Sequence, residues 1–192
     1  MALPIEGIIK AAWVVFGLYW LWGWRRVKSA QRAERVLPRI LKYWLPLAVA
    51  VWLIGPDRWF QGTWLGERMY PAWLGTALLG ALLAWAGVAF ACWARYVLGR
   101  NWSSVVQVKQ DHELIQRGPY RFVRHPIYTG LLLAFFGTGM AIGEWRGLIG
   151  VVIVGVSFWF KLRLEERWMQ DNFGAAYEQY MQRTKALIPG VL

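Results

Sequence analysis

The segment Arg117-Gly-Pro-Tyr-Arg-Phe-Val-Arg-His-Pro-Ile-Tyr-Thr-Gly130 places cations, two tyrosines and a His-Pro pair immediately before an apolar run. Ionisable groups are costly beside hydrocarbon, so a dense set of them at the mouth of an apolar helix marks a functional site. A basic anchor with a proline helix start accounts for the arginines and Pro126. It gives no reason for the spacing of Tyr120, His125, Tyr128 and Gly130. A second set follows in Lys161-Leu-Arg-Leu-Glu-Glu-Arg167. Lys161 and Glu165 are four apart and stack on one helical face. As a plain surface salt bridge that pair would contribute only ~0 to 1 kcal/mol. Its chemical interest is a carboxylate and a cation held side by side.

The elements that must position these groups are five apolar runs, each weighed against the roughly 20 residues a helix needs to cross a bilayer. They cover about Pro4 to Trp24, Leu41 to Gly55, Pro71 to Leu98, Pro126 to Ile142 and Gly147 to Phe160. The second and fifth are short and must borrow flanking Trp, Lys and Arg to reach the interfaces. Only Gly-Glu-Trp-Arg separates the last two, which predicts a tight helical hairpin, with Gly130, Gly137, Gly139, Gly150 and Gly155 allowing close helix approach. Phe173-Gly174 reads as a helix stop, followed by a short amphipathic helix bearing Tyr177 and Tyr180 at the membrane surface.

Composition agrees with a polytopic, all-α integral membrane protein. Hydrophobic residues make up 57% of the 192 and there are fifteen tryptophans, too apolar a mixture for a soluble domain. The net charge of +11 does not indicate nucleic acid, because the cations lie in loops between apolar runs, where they orient membrane helices. The single cysteine, Cys92, excludes an intrachain disulfide. The first apolar stretch lacks a basic leader and a small-residue cleavage site, so it is expected to remain as a helix. The first connection carries Arg25, Arg26, Lys28, Arg32, Arg35, Arg39 and Lys42 against Glu34, whereas the second balances Arg58 and Arg68 with Asp57 and Glu67. The first connection, the Arg95 to Arg124 connection and the tail after Lys161 are therefore expected in the cytoplasm, with the N-terminus outside. The chain reads as one domain, 1–192, with the first three spans in 1–98 and the chemistry in 99–192.

Gly118-Pro-Tyr120, Arg124-His-Pro-x-Tyr128-x-Gly130, Glu165-Glu166, Phe173-Gly174-x-x-Tyr177-x-x-Tyr180 and Ile188-Pro189 together resemble the isoprenylcysteine carboxyl methyltransferase family and the related phospholipid N-methyltransferases. The resemblance covers about Asn101 to Pro189. It implies an integral-membrane, S-adenosylmethionine-dependent methyltransferase without a Rossmann domain, and no strand-linked Gly-x-Gly-x-x-Gly is present. Carried over residue by residue, it implies cofactor contacts at Gln107, His112, Glu113, Leu114, Ile115, Tyr120, His125, Pro126, Ile127, Tyr128 and Glu165. No metal is expected.

Such a cofactor carries a sulfonium, an ammonium, a carboxylate and an adenine. Tyr120 and Tyr128 offer π faces to a cation, Glu165 suits the ammonium, and His125 or Arg124 suits the carboxylate through charge-assisted bonds. The resemblance puts an acceptor-orienting arginine where this chain has Lys161. Arg grips a carboxylate bidentately and Lys is a point charge, so Arg163 is the alternative. A carboxylate acceptor needs no base; an amine acceptor needs one, for which Glu166 is the candidate. The acceptor is expected to be lipophilic and to enter from the bilayer past Trp159 and Phe160. No obligate protein partner is indicated. Two rival readings are a nicotinamide-dependent sterol-type membrane reductase, which shares a tyrosine-bearing C-terminal pattern, and a non-catalytic membrane scaffold, which leaves His125 and Glu165 unexplained.

Overall fold

The computed structural model describes residues 3–24, 30–33, 36–99, 102, 107–109 and 114–191. Helix α1 spans Leu3–Trp24 and a short strand β1 spans Ala30–Ala33. The second apolar run begins earlier than its hydropathy suggests. It is built from α2 (Val36–Arg39), a π-helical turn (Ile40–Trp44) and α3 (Leu45–Leu53). Helix α4 covers Leu74–Leu98, and strand β2 covers Gln107–Lys109 and pairs antiparallel with β1. Then come α5 (Pro126–Ile142), α6 (Trp145–Phe173) and α7 (Ala175–Arg183). Among the described residues, four helical stretches are long and apolar enough to cross a membrane, and α5 is a shorter apolar helix. The expected all-α membrane architecture is borne out, with the small β1–β2 pairing as an addition.

The order of the helices brings β1, β2, the Gly118–Arg121 turn and the tail after α6 to one end of the bundle. The 54–73 connection and the α5–α6 turn lie at the other, where Arg68 bridges to Glu144. The turn is tighter than four residues: Gly143, at φ +68°, and Glu144 alone separate α5 from α6. Positive φ there suits glycine, which has no Cβ to clash. Buried Arg146 ties this end together. It donates to Glu144 at 2.5 Å and to the Leu53 and Gly55 carbonyls at 3.0 and 2.6 Å, and it lies 5.0 Å from the Phe60 ring centroid.

Three of the glycines expected to serve the hairpin, Gly130, Gly137 and Gly150, face other helices. A Cβ on Gly130 would lie 2.6 Å from the Gly87 carbonyl oxygen, and one on Gly137 would lie 2.5 Å from the Gly80 oxygen. These two glycines therefore seat α5 backbone-to-backbone on α4, the contact that small residues permit in membranes. The hairpin itself uses Gly139 against Gly147, whereas Gly150 faces α3 near the Ala50 oxygen. The main core runs along α5 and α6 through Phe135, Val154, Phe158, Leu162 and Tyr128, and it ends against Ala186 and Leu187 of the tail.

Candidate active site

The site end of this core is built from the start of α5 and the extension of α6 beyond its apolar part. His125 ends the loop in a non-helical conformation, and Pro126 occupies the first turn of α5, where a missing N–H costs nothing. Tyr128, one turn on, stacks against His125 with ring centroids 5.5 Å apart. Helix α6 continues unbroken past Phe160 to Phe173 and brings Lys161, Glu165 and Glu166 alongside. Gly174, at φ +50°, then stops it, as the sequence predicts, and lets α7 turn back.

The two adjacent glutamates divide the site. Tyr128 donates its hydroxyl to Glu165 Oε1 at 2.6 Å, and the other oxygen, Oε2, faces His125 Nδ1 at 3.6 Å. Glu166 Oε1 accepts from Arg124 Nε at 2.8 Å and Nη2 at 2.6 Å, and His125 Nε2 lies 3.3 Å from it. Arg124 is thereby engaged, since its Nη1 also donates to the Thr184 and Met181 carbonyls. The Glu165 side chain keeps 24% exposure against 6% for Glu166. Glu165 is thus the carboxylate that remains accessible.

Burial pulls the His125 pKa down, but the neighbouring carboxylates of Glu165 and Glu166 outweigh it, so the imidazole titrates above its ordinary value. Tyr120, in the turn Gly118–Arg121, is pushed well above the usual phenol range by burial and then by the Glu165 charge. Its hydroxyl therefore stays protonated at neutral pH.

Lys161 shares the Glu165 side. Its Nζ lies 5.4 Å from the Tyr128 ring centroid and 5.9 Å from that of Tyr43, within cation–π range. Arg163 sits on the other side of α6, its guanidinium 5.5 Å from the Trp159 ring. Buried Tyr43, in the π-helical turn, was missed by sequence reasoning. The one available hint was its place beside Lys42 in the basic first connection.

The tail closes over the start of α5. Arg124 N–H donates to Lys185 O at 2.8 Å, His125 N–H to Ala186 O at 3.0 Å, and Thr129 Oγ1 to Leu187 O at 2.7 Å. Tyr180 of α7 donates its hydroxyl to the Tyr120 carbonyl. Both α7 tyrosines are buried, so the helix docks by that face.

Of the expected cofactor contacts, Tyr120, Arg124, His125, Pro126, Ile127, Tyr128 and Glu165 are gathered in this region. Leu114 and Ile115 are half-buried in the segment leading to the Gly118 turn. Gln107 lies in β2, opposite Ala33; its side chain is outside the described residues, as are His112 and Glu113. A cleft of about 260 Å³ opens beside Arg124, Arg163, Glu166 and Lys185.

A bundle of apolar helices with paired carboxylates, cations and stacked aromatics at one end defines an integral membrane protein with a buried polar site. Residues 76–176, more than half of the chain, match the phospholipid methyltransferase family, and the chain belongs to that family. The resemblance to isoprenylcysteine methyltransferases is also borne out. The protein-S-isoprenylcysteine O-methyltransferase of Schizosaccharomyces pombe is 30% identical over 114 residues, covering 54% of this chain and 48% of the relative. Methanethiol S-methyltransferase 1 of Bradyrhizobium diazoefficiens is 41% identical over 71 residues, 36% of this chain and 24% of the relative. The cobalt-zinc-cadmium resistance protein CzcN of Cupriavidus metallidurans is 30% identical over 139 residues, 71% of this chain and 56% of the relative. The chain spans about half the length of the curated isoprenylcysteine methyltransferases it matches.

Proposed function

We propose that the chain is an S-adenosylmethionine-dependent methyltransferase acting on a lipophilic, anionic acceptor, with carboxyl O-methylation of a prenylcysteine-like or other lipid acid as the leading reading. The observation that carries it is Lys161 and Glu165 on one face of α6, the cation lying over Tyr128 and the carboxylate held by the Tyr128 hydroxyl. The donor set fits the cofactor. Glu165 Oε2 retains accepting capacity for an ammonium, because His125 Nδ1 at 3.6 Å is beyond hydrogen-bond reach. The aromatic faces of Tyr128 and Tyr120 suit a sulfonium. When bound, the cofactor supplies an electrophilic methyl group.

The protein's own residues then need only bind, orient and exclude water. Lys161 places the acceptor's anion. Tyr128 and His125 fix Glu165, and the docked tail covers the site. A carboxylate takes the methyl on an oxygen lone pair and releases no proton. An amine acceptor would need a base, and Glu166 is already held by Arg124 and His125, which disfavours phospholipid N-methylation. A thiolate shares the carboxylate's charge and is the second reading, favoured by the likeness to a methanethiol S-methyltransferase. The asymmetry of the basic connections supports a site in the cytoplasm and an N-terminus outside.

Calorimetric titration of the purified chain tests this reading. S-adenosylmethionine and S-adenosylhomocysteine should bind and NADPH should not. Binding of NADPH alone would overturn the proposal in favour of the reductase.

A further inference from the structure

The face of α6 turned away from Lys161 carries a second cluster that methyl transfer does not use. The Arg124–Glu166 pair forms the inner wall of the cleft there, Arg163 and Lys185 line it, and Trp159 and Val191 supply apolar surface. Glu166 is neutralised by Arg124 at 2.6 Å, so Arg163 and Lys185, both exposed, leave the cleft with surplus positive charge. Leu148, Val152, Val156 and Trp159 are exposed large apolar residues, spaced so that they share one helical face with Arg163. This strip leads along α6 directly into the cleft. Its order is hydrocarbon, then an interfacial tryptophan, then cations, the order in which a membrane presents acyl chain, interface and phosphate.

We propose that the cleft is a binding site for an anionic phospholipid, with its phosphate between Arg163 and Lys185 and an acyl chain along the Val152–Val156–Trp159 strip. Charge selects the class. A choline or ethanolamine headgroup brings its own cation beside two that have no ion pair among the described residues, whereas a glycerol headgroup does not. The site is separate from the Lys161 and Glu165 face, so its occupant need not leave when an acceptor enters on the Phe160 side, although it takes Trp159 from the expected entrance. It is read without donor or acceptor, and it stands whether or not the chain transfers methyl groups.

Native mass spectrometry of the full chain from detergent micelles, titrated with dioctanoyl phosphatidylglycerol, dioctanoyl phosphatidylcholine or glycerol 3-phosphate, tests the proposal. Phosphatidylglycerol should be retained as one molecule per chain at concentrations where phosphatidylcholine is not. The Arg163→Ala/Lys185→Gln variant should lose about tenfold or more in affinity for it. Both side chains are exposed, so the variant keeps its fold. Glu165→Gln should bind phosphatidylglycerol as the parent does; its loss there would move the lipid to the other face and overturn the assignment. Equal retention of the two lipids, or an unchanged double variant, would also overturn it. Glycerol 3-phosphate binding as tightly as the lipid would assign the cleft to a soluble phosphate and remove the lipid.

Discussion

Glu165 and Glu166 are neighbours in sequence with opposite duties: Glu165 takes the Tyr128 hydroxyl at 2.6 Å and stays accessible, while Glu166 takes Arg124 at 2.6 and 2.8 Å and is buried. Adjacent residues on a helix point about 100° apart, so two consecutive carboxylates cannot serve one small ligand equally. Glu166 is committed to Arg124, and Glu165 is the carboxylate proposed for the ligand.

Substitution separates the two roles. Glu166→Gln leaves Arg124 in a buried place without its counter-charge, and such a loss costs about 3 to 5 kcal/mol, so the melting temperature in detergent should drop sharply. Glu165→Gln should melt near the parent yet weaken S-adenosylmethionine binding by ~1.5 to 3 kcal/mol, the cost of losing a hydrogen bond to a charged group. The reverse pattern would exchange the assignments.

Stability should also depend on pH through His125. Its folded pKa is raised, so the folded state holds the proton more tightly than the unfolded chain does. The contribution is fully present below about 6.5, the unperturbed imidazole value, and is lost as pH rises through the raised folded value. Melting curves over that window should show stability falling with rising pH, and His125→Asn should flatten this dependence. A parent curve that rises instead would contradict a charged imidazole between the two glutamates.

The seating of α5 on α4 sets where His125 and Tyr128 lie. A Cβ on Gly87 would stand 2.4 Å from the Gly130 oxygen, whereas one on Gly7 meets nothing within 4 Å. Gly87→Ala should therefore cost about 1 to 3 kcal/mol, as overpacking does, and Gly7→Ala, inside α1, should be neutral or slightly stabilising. Equal melting temperatures for the two variants would show that the helices part without cost.

Much of this was legible beforehand for identifiable reasons. Pro126 and Gly174 are local signals, and they start α5 and stop α6 where expected. The Lys161 and Glu165 pairing follows from helical spacing alone. Which neighbour a glycine faces is a tertiary matter, so the pattern points Gly130 and Gly137 to the hairpin although they serve α4. Tyr43 was invisible for the same reason: it joins the site through the packing of the second span on α6. Charge alone makes Arg124 a candidate cofactor ligand. Its engagement with Glu166 and the Thr184 carbonyl depends on the returning tail, which no local pattern announces.

Sidedness is open to direct labelling. Strand β1, which holds Gln31, and the Gly118–Arg121 turn share one end of the bundle, and the 54–73 connection lies at the other. In a Cys92→Ala background, a cysteine at Gln61 should react with an impermeant reagent from outside and one at Gln31 should not. The opposite outcome would turn the site away from the cytoplasm.

The proposed charge of the acceptor is testable at the two cations of α6. Lys161 lies over Tyr128 on the Glu165 side, and Arg163 lies over Trp159 on the other. If Lys161 orients an anionic acceptor beside the methyl group, Lys161→Ala removes an interaction with the reacting partner and leaves the cofactor contacts in place. Turnover with a prenylcysteine analogue should then fall by about tenfold or more, as expected for a lost charge-assisted contact, with little change in S-adenosylmethionine affinity. Lys161→Arg should recover part of the rate, because the charge returns in a forked geometry that suits carboxylate. Arg163→Ala should leave that turnover near the parent value, since its guanidinium is turned to the cleft. Steady-state kinetics across these variants, with a prenylcysteine analogue, a lipophilic thiol and a phosphatidylethanolamine as acceptors, check the assignment. Full activity in Lys161→Ala, or a loss confined to Arg163→Ala, would place the acceptor on the cleft side of α6.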